Sequence, residues 1–382
     1  MFWDTGDCGV HVRQIPKPII EADAALHRLL KQLAFSRHLN PTNIGQAKSA
    51  CLSGKPVHFR YIPFPDPDDF ISKLESLRLP SSAREHPFGL LVEEKIHGTI
   101  STVLALKERN QHRFDELMHL NNWLPPEELA SAELPSIPYA PSKHAGSARR
   151  ALDIVQVLKK ALDERDLGGW SITLDPIMSA RVLVDSSRKE LRVAPNSLFS
   201  HNDLSRLVVH EIDVHAQRSA NGSHQGLNCF ATGLQGSMKT EEGLALLAEE
   251  HTGTISPSTL HRQQHVISAI HMARELGISE LYTQLRQNCS ASLAWNIALR
   301  VKRGLKDPEQ PGVYAKDSVY LVGWFELRKW LMNGGSLISL YVGKVGIEHP
   351  IDKWIEAGLL SRQSVPQCWQ GFGVEKLRSL AS

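Results

Sequence analysis

Two histidines and several carboxylates fall in two short stretches, His210-Glu211-Ile212-Asp213-Val214-His215 and Glu241-Glu242-Gly243-Leu244-Ala245. A catalytic zinc site is made from these residue types: two neutral imidazoles, one carboxylate ligand, and one free carboxylate that takes a proton from water. The common zinc-protease pattern, H-E-x-x-H, sets its histidines at i and i+4 on one helix face. Here the second histidine is at i+5. On a regular α-helix five residues advance by about 500°, leaving the imidazoles about 140° apart and unable to share an ion. A π-type turn, bonded i→i+5, realigns them. The spacing therefore predicts a π-bulge or a helix end between Ile212 and His215, with Glu211 beside the ion. The hexapeptide also fits an amphipathic helix with two partly buried histidines, and spacing alone does not separate the two.

The elements that must position these residues are legible nearby. Residues 169–175, 180–185 and 190–193 read as strands, the last two joined by the turn Ser186-Ser187-Arg188-Lys189 into a hairpin. Ser200 is placed to cap a helix, with Asp203 as a shorter stand-in for the capping-box Glu. Leu204, Leu207, Val208 and Glu211 follow at helical spacing, so His210 belongs to a helix that starts after a small sheet. A sheet edge beside such a helix holds an extended peptide next to a metal. Downstream, Thr240 reads as the cap of a second helix with Glu241 and Glu242 in its first turn, where acidic residues also suit the helix dipole. Gly243 is poor helix chemistry, costing up to about 1 kcal/mol relative to Ala. It suits a close approach by a neighbouring element, such as a metal-bearing helix.

His210 to His215, Asn221-Gly222, Gln225 and Glu242-Gly243-Leu244-Ala245 resemble the signature of the QEGLA-motif proteins. These are bacterial proteins named for an effect on flavohaemoglobin expression and related to the microtubule-associated tyrosine carboxypeptidases of animals. Asn40-Pro41-Thr42-Asn43 and Phe59-Arg60-Tyr61 resemble the family's early segments. Lys302-Arg303-Gly304-Leu305, residues 316–321 and residues 340–344 resemble its late ones, so the likeness spans nearly the whole chain. The resemblance implies that His210, His215 and Glu242 bind Zn2+ and that Glu211 is the catalytic base. It also implies an α+β fold: a mostly helical, zincin-like metallopeptidase with a small sheet beside the metal-binding helix. Glu241 departs from the Gln of the bacterial pattern, while the carboxypeptidase branch carries Glu-Glu there. Asp213, between the histidines, is expected to face solvent.

Zinc chemistry then sets the expected reaction. Three protein ligands leave a fourth position for water, whose pKa falls to about 7, and Glu211 accepts its proton. A carboxypeptidase also needs a cation for the terminal carboxylate and a donor for the oxyanion. Arg303, Lys316 and Lys344 are candidates for the first and Tyr320 for the second, although such residues also serve as solvated or core side chains. Asn221 and Gln225 follow the metal helix and are candidates for a cleft wall, bonding substrate backbone or a ligand histidine. Arg218 is placed to pair with Glu241 or to lie on the surface. His261 and His265, at i and i+4, lack a base and a third ligand and read as a polar helix face.

Other chemistries lack their motifs: there is no phosphate loop, dinucleotide fingerprint or nucleophile elbow. Five scattered cysteines without C-x-x-C point to reduced thiols rather than a cysteine zinc site or a disulfide framework. The 382 residues, 42% hydrophobic, suffice for a substantial core, and a net charge of +2 invokes neither nucleic acid nor membrane surface. The opening residues show no signal peptide and no run has membrane-span length, so a cytoplasmic protein is expected. The expected organisation is a mostly helical region over 1–133, a Pro- and Ser-bearing connector over 134–146, and a catalytic domain over 147–382. Helices are expected around Glu21 to Ala34 and Ala151 to Leu167. Two functions follow. One is a zinc metallopeptidase of carboxypeptidase type acting on a peptide or protein C-terminal tail. The other is a metal-binding regulatory or interaction protein with weak or no hydrolytic activity.

Overall fold

The computed structural model describes residues 15–32, 35–135, 137, 149–178 and 180–378. Most of the expected connector, the opening residues and Cys8 lie outside these. The fold is α+β and mostly helical, with two small sheets.

Helix α1, Lys17–Leu30, starts at Pro16-Lys17-Pro18, where prolines suit a first turn, and buries Ile19, Ala22 and Leu26 on one stripe. It starts four residues before the expected position. Helix α2, Pro87–Glu108, is the long central helix of the N-terminal half, and α3, Ala151–Asp163, carries a capping interaction from Asp153. Strands β1 (Arg149–Arg150) and β5 (Leu198–Phe199) form a short antiparallel ladder. Strands β2 (Ser171–Leu174), β3 (Val182–Asp185) and β4 (Glu190–Val193) form a sheet ordered β2-β4-β3. The expected hairpin is present as β3 and β4, paired Val182 to Val193 through Asp185 to Glu190, and β2 adds parallel to β4. Strand β3 therefore lies at an edge of the sheet.

Ser200 caps α4, His201–Leu207, as expected: its hydroxyl accepts from the Asp203 N–H while the Asp203 carboxylate accepts from the Ser200 N–H. The chain then runs without a break into a π-helix, Val208–Ala216, and returns to α5, Gln217–Gly222. The π segment lies between two cores. Val209 and Val214 join the larger core, built from helices of both halves of the chain. Ile212 and Ala216 join the smaller one, with α3, the sheet and Phe199. Apolar residues on opposing sides hold this rare winding in place.

Helix α6, Met238–His251, begins earlier than the expected cap: Thr240 is inside it, and its hydroxyl accepts from the Ile347 N–H at 2.9 Å. It packs on α9, Val319–Met332, almost backbone to backbone. A Cβ placed on Gly243 would come within 2.3 Å of the Gly323 carbonyl carbon, and one on Gly323 within 1.9 Å of the Lys239 oxygen. The close approach expected at Gly243 is thus real, but its partner is α9 and not the histidine helix. Helices α7 (Pro257–Ala273) and α8 (Ala291–Lys302) complete the walls around the site. Among the described residues no helix is long and apolar enough to cross a membrane, and Cys51, Cys229, Cys289 and Cys368 are unbridged.

Candidate metal centre

The π winding brings His210 and His215 together as the i+5 spacing predicts, with ring centroids 4.8 Å apart at an interplanar angle of 86°. Ligand atoms of His210, Glu211 and His215 lie within 4.8 Å of one another, and all three residues are buried. Glu242 enters from α6. Its Oε2 is 3.4 Å from Nε2 of His210 and 3.4 Å from Nε2 of His215. Donors bound at about 2.0–2.1 Å to one tetrahedral ion are separated by about 3.4 Å. Glu242 Oε2 is buried and has no hydrogen-bond partner, an arrangement that ordinarily costs stability. The donor set thus fits an ion between these three side chains.

The opposite edge of each imidazole is already fixed. Nδ1 of His210 bonds Glu249 at 2.7 Å, and Nδ1 of His215 bonds Glu241 at 2.7 Å. A carboxylate at Nδ1 holds the proton there and turns the Nε2 lone pair inward, the tautomer a ligand needs. Both carboxylates are themselves clamped. Arg206 pairs with Glu249 at 3.1 Å. Glu241 takes Lys344 at 2.9 Å and an ion pair from the fully buried Arg218, as one sequence reading expected. Arg218 also donates to the carbonyls of Leu340 and Val345, tying the site to the C-terminal loops.

The electrostatics follow from this crowding. Burial disfavours charge on His210, but the adjacent Glu242, Glu249 and Glu211 carboxylates outweigh it and push its pKa up to about 10. His215 is raised for the same reason, chiefly by Glu242 against burial. Burial acts to raise Glu242, yet the two imidazoles hold it well below the usual carboxylate range.

Other predicted residues are distributed as follows. Tyr320 stacks on His210 with centroids 6.4 Å apart at 25°, and burial together with the Glu242 charge raises its pKa well above 10. Lys316 is half-buried, with Glu242 among the charges acting on it. Arg303 lines the cleft but pairs with Asp317 at 3.1 Å, and Lys344 is engaged by Glu241. Asn221 donates to the carbonyls of Tyr341 and Ser364, and Gln225 to those of Val342 and Ser361, so both amides pin loops. Neither lines the cleft. Asp213 corrects an expectation: it is 3% exposed, not solvated, and pairs with Arg165, because the π winding turns it toward α3 and its following loop. His261, exposed on α7, takes no part in the histidine group. Glu249 and Arg206 were missed. Their signal was present, since Glu249 is two turns beyond Glu242 and Arg206 one turn before His210.

A cavity of about 720 Å³ opens onto His210 and Glu211. Met178, Ala180, Arg181 and Val182, at and before the edge strand β3, form one side. Residues of α7 and α8 with Tyr320 form the other.

Comparison with known proteins converges on this region. The family model described as microtubule-associated tyrosine carboxypeptidase matches residues 131–376. Microtubule-associated tyrosine carboxypeptidase 1 of mouse is 29% identical over 198 residues, covering 50% of this chain and 41% of the relative. Its human counterpart is 28% identical over 226 residues, covering 57% and 47%. The chain thus spans less than half the length of these curated relatives.

Proposed function

The chain belongs to the microtubule-associated tyrosine carboxypeptidase family, and from that premise we propose that it is a zinc-dependent metallopeptidase that trims peptide C-termini. The observation that carries this reading is the orphaned, buried Glu242 Oε2, equidistant from two imidazole nitrogens, with Glu211 beside them. His210, His215 and Glu242 would hold Zn2+, in a zincin-like arrangement in which the π segment is the metal-binding helix. The ion, when bound, supplies Lewis acidity and lowers the pKa of a water to about 7.

The remaining steps belong to the chain's own side chains. Glu241 and Glu249 keep both imidazoles in the ligating tautomer. Glu211 takes a proton from the attacking water and delivers it to the leaving amine. The Tyr320 hydroxyl, kept protonated, donates a hydrogen bond as charge develops on the scissile carbonyl oxygen. Lys316 adds positive potential from beside Glu242. The free edge of β3 receives the substrate as an extended strand, the mode by which exposed sheet edges bind peptides.

The test is elemental mass spectrometry of the purified protein beside His210→Ala, Glu242→Ala and Glu211→Gln, with product analysis on peptides carrying free C-termini. One zinc per chain is expected, lost in the first two variants and kept in the third. Cleavage should fall about 10²–10⁴-fold in Glu211→Gln. Zinc binding in the parent without any cleavage would favour a metal-dependent regulatory protein, and zinc retained in both ligand variants would refute the site.

A further inference from the structure

Five arginines line the cleft, Arg181, Arg206, Arg262, Arg300 and Arg303. Four have carboxylate partners: Arg181 with Asp203 at 2.5 Å, Arg206 with Glu249 at 3.1 Å, and Arg300 and Arg303 sharing Asp317 at 2.5 and 3.1 Å. Arg262, on α7, is different. Its side chain is exposed within the cleft, and among the described residues no carboxylate lies within ion-pair distance of it. Partial withdrawal from solvent is the largest influence on its charge; among its neighbours Arg300 and Arg206 act against that charge, and Tyr320 and Asp317 act in its favour. Asp317 is already committed to two guanidiniums, and Tyr320 stays protonated.

We propose that Arg262 is the anchor for the α-carboxylate of the substrate's last residue. The inference rests on the metallopeptidase reading, and it names the substrate class: a peptide with a free C-terminus. A guanidinium is a planar fork that matches a carboxylate with two parallel hydrogen bonds. The placement is also suitable. Arg262 neighbours Tyr320, which stacks on His210, and Arg206, whose partner Glu249 bonds His210. A carboxylate seated there would give Arg262 the kind of partner that the other four cleft arginines already have. Sequence reasoning passed over this residue because it sits between His261 and His265, where an arginine reads as the loss of a base.

Binding separates this proposal from the chemistry. The zinc-loaded Glu211→Gln protein is titrated with a fluorescein-labelled pentaglutamyl-tyrosine peptide, as the free acid and as the C-terminal amide, and anisotropy is recorded. The free acid should bind about tenfold or more tightly than the amide, as expected for a charge-assisted pair. Arg262→Gln in the same background should bring the ratio close to one while leaving amide affinity within about twofold, and Arg262→Lys should retain part of the preference. Equal loss for both peptides would reveal general electrostatic attraction and overturn the anchor. An undiminished ratio in Arg262→Gln, or no preference in the parent, overturns it as well. An Arg262-dependent preference in a protein whose wild type never releases a C-terminal residue would keep the anchor and refute the peptidase.

Discussion

Glu249 shows how much of the site's chemistry is carried by residues that would not touch an ion. It is fully buried at its side chain, accepts from both His210 and Arg206 through Oε1, and comes from the same helix as Glu242. Substitution by glutamine keeps the shape and allows a hydrogen bond, but it removes the charge that fixes the proton on Nδ1. Glu249→Gln is therefore expected to weaken zinc affinity about 10–100-fold, measured by chelator competition. Unchanged affinity would reduce Glu249 to a structural partner of Arg206. The proximity of His210, Glu211, His215 and Glu242 was legible because their types and spacing match what the proposed zinc chemistry requires. Asp213 was not, because its burial depends on Arg165, which is 48 residues away in sequence.

At the scale of elements, short-range signals were read well and long-range packing was not. The i+5 spacing announced the π segment, and Ser200 with Asp203 announced the start of α4. The start of α6 was misplaced because Ser237 and Met238 offer no capping bond, and the turn is set by tertiary contacts. The α4 cap makes a pH prediction. Burial raises the Asp203 pKa, but Arg181 and the Ser200 N–H and hydroxyl outweigh this and hold it at about 2. A folded value below the unfolded value of about 3.9 means stability present above pH 4 and lost as pH falls toward 2. Asp203→Asn should cost about 1–2 kcal/mol at pH 7, with the gap to wild type closing toward pH 2 in urea denaturation curves. A constant gap would assign the effect to shape rather than charge.

At the scale of the whole molecule, the helical content, the hairpin and the family were legible, whereas the arrangement of the walls around the cleft was not. Arg262, Arg300 and Tyr320 come from three helices spread over some sixty residues, and nothing local says that they share a cavity. The candidate ligands likewise join the π segment to α6, so an ion would cross-link two elements of the fold. Removing zinc with a chelator should lower the melting temperature by about 5 °C, because a ligand that binds only the folded state stabilises it by mass action. No shift would mean that the ion contributes nothing to the fold. The π segment also makes the chain unequally tolerant of change. A conservative exchange of one side chain acts locally, but deleting one residue would rotate everything after it by about 100°. Arg218 and Asn221 would then lose the loop carbonyls they hold. Across these nine residues the chain is therefore constrained in length as well as in the identity of the residues that face the site and the two cores.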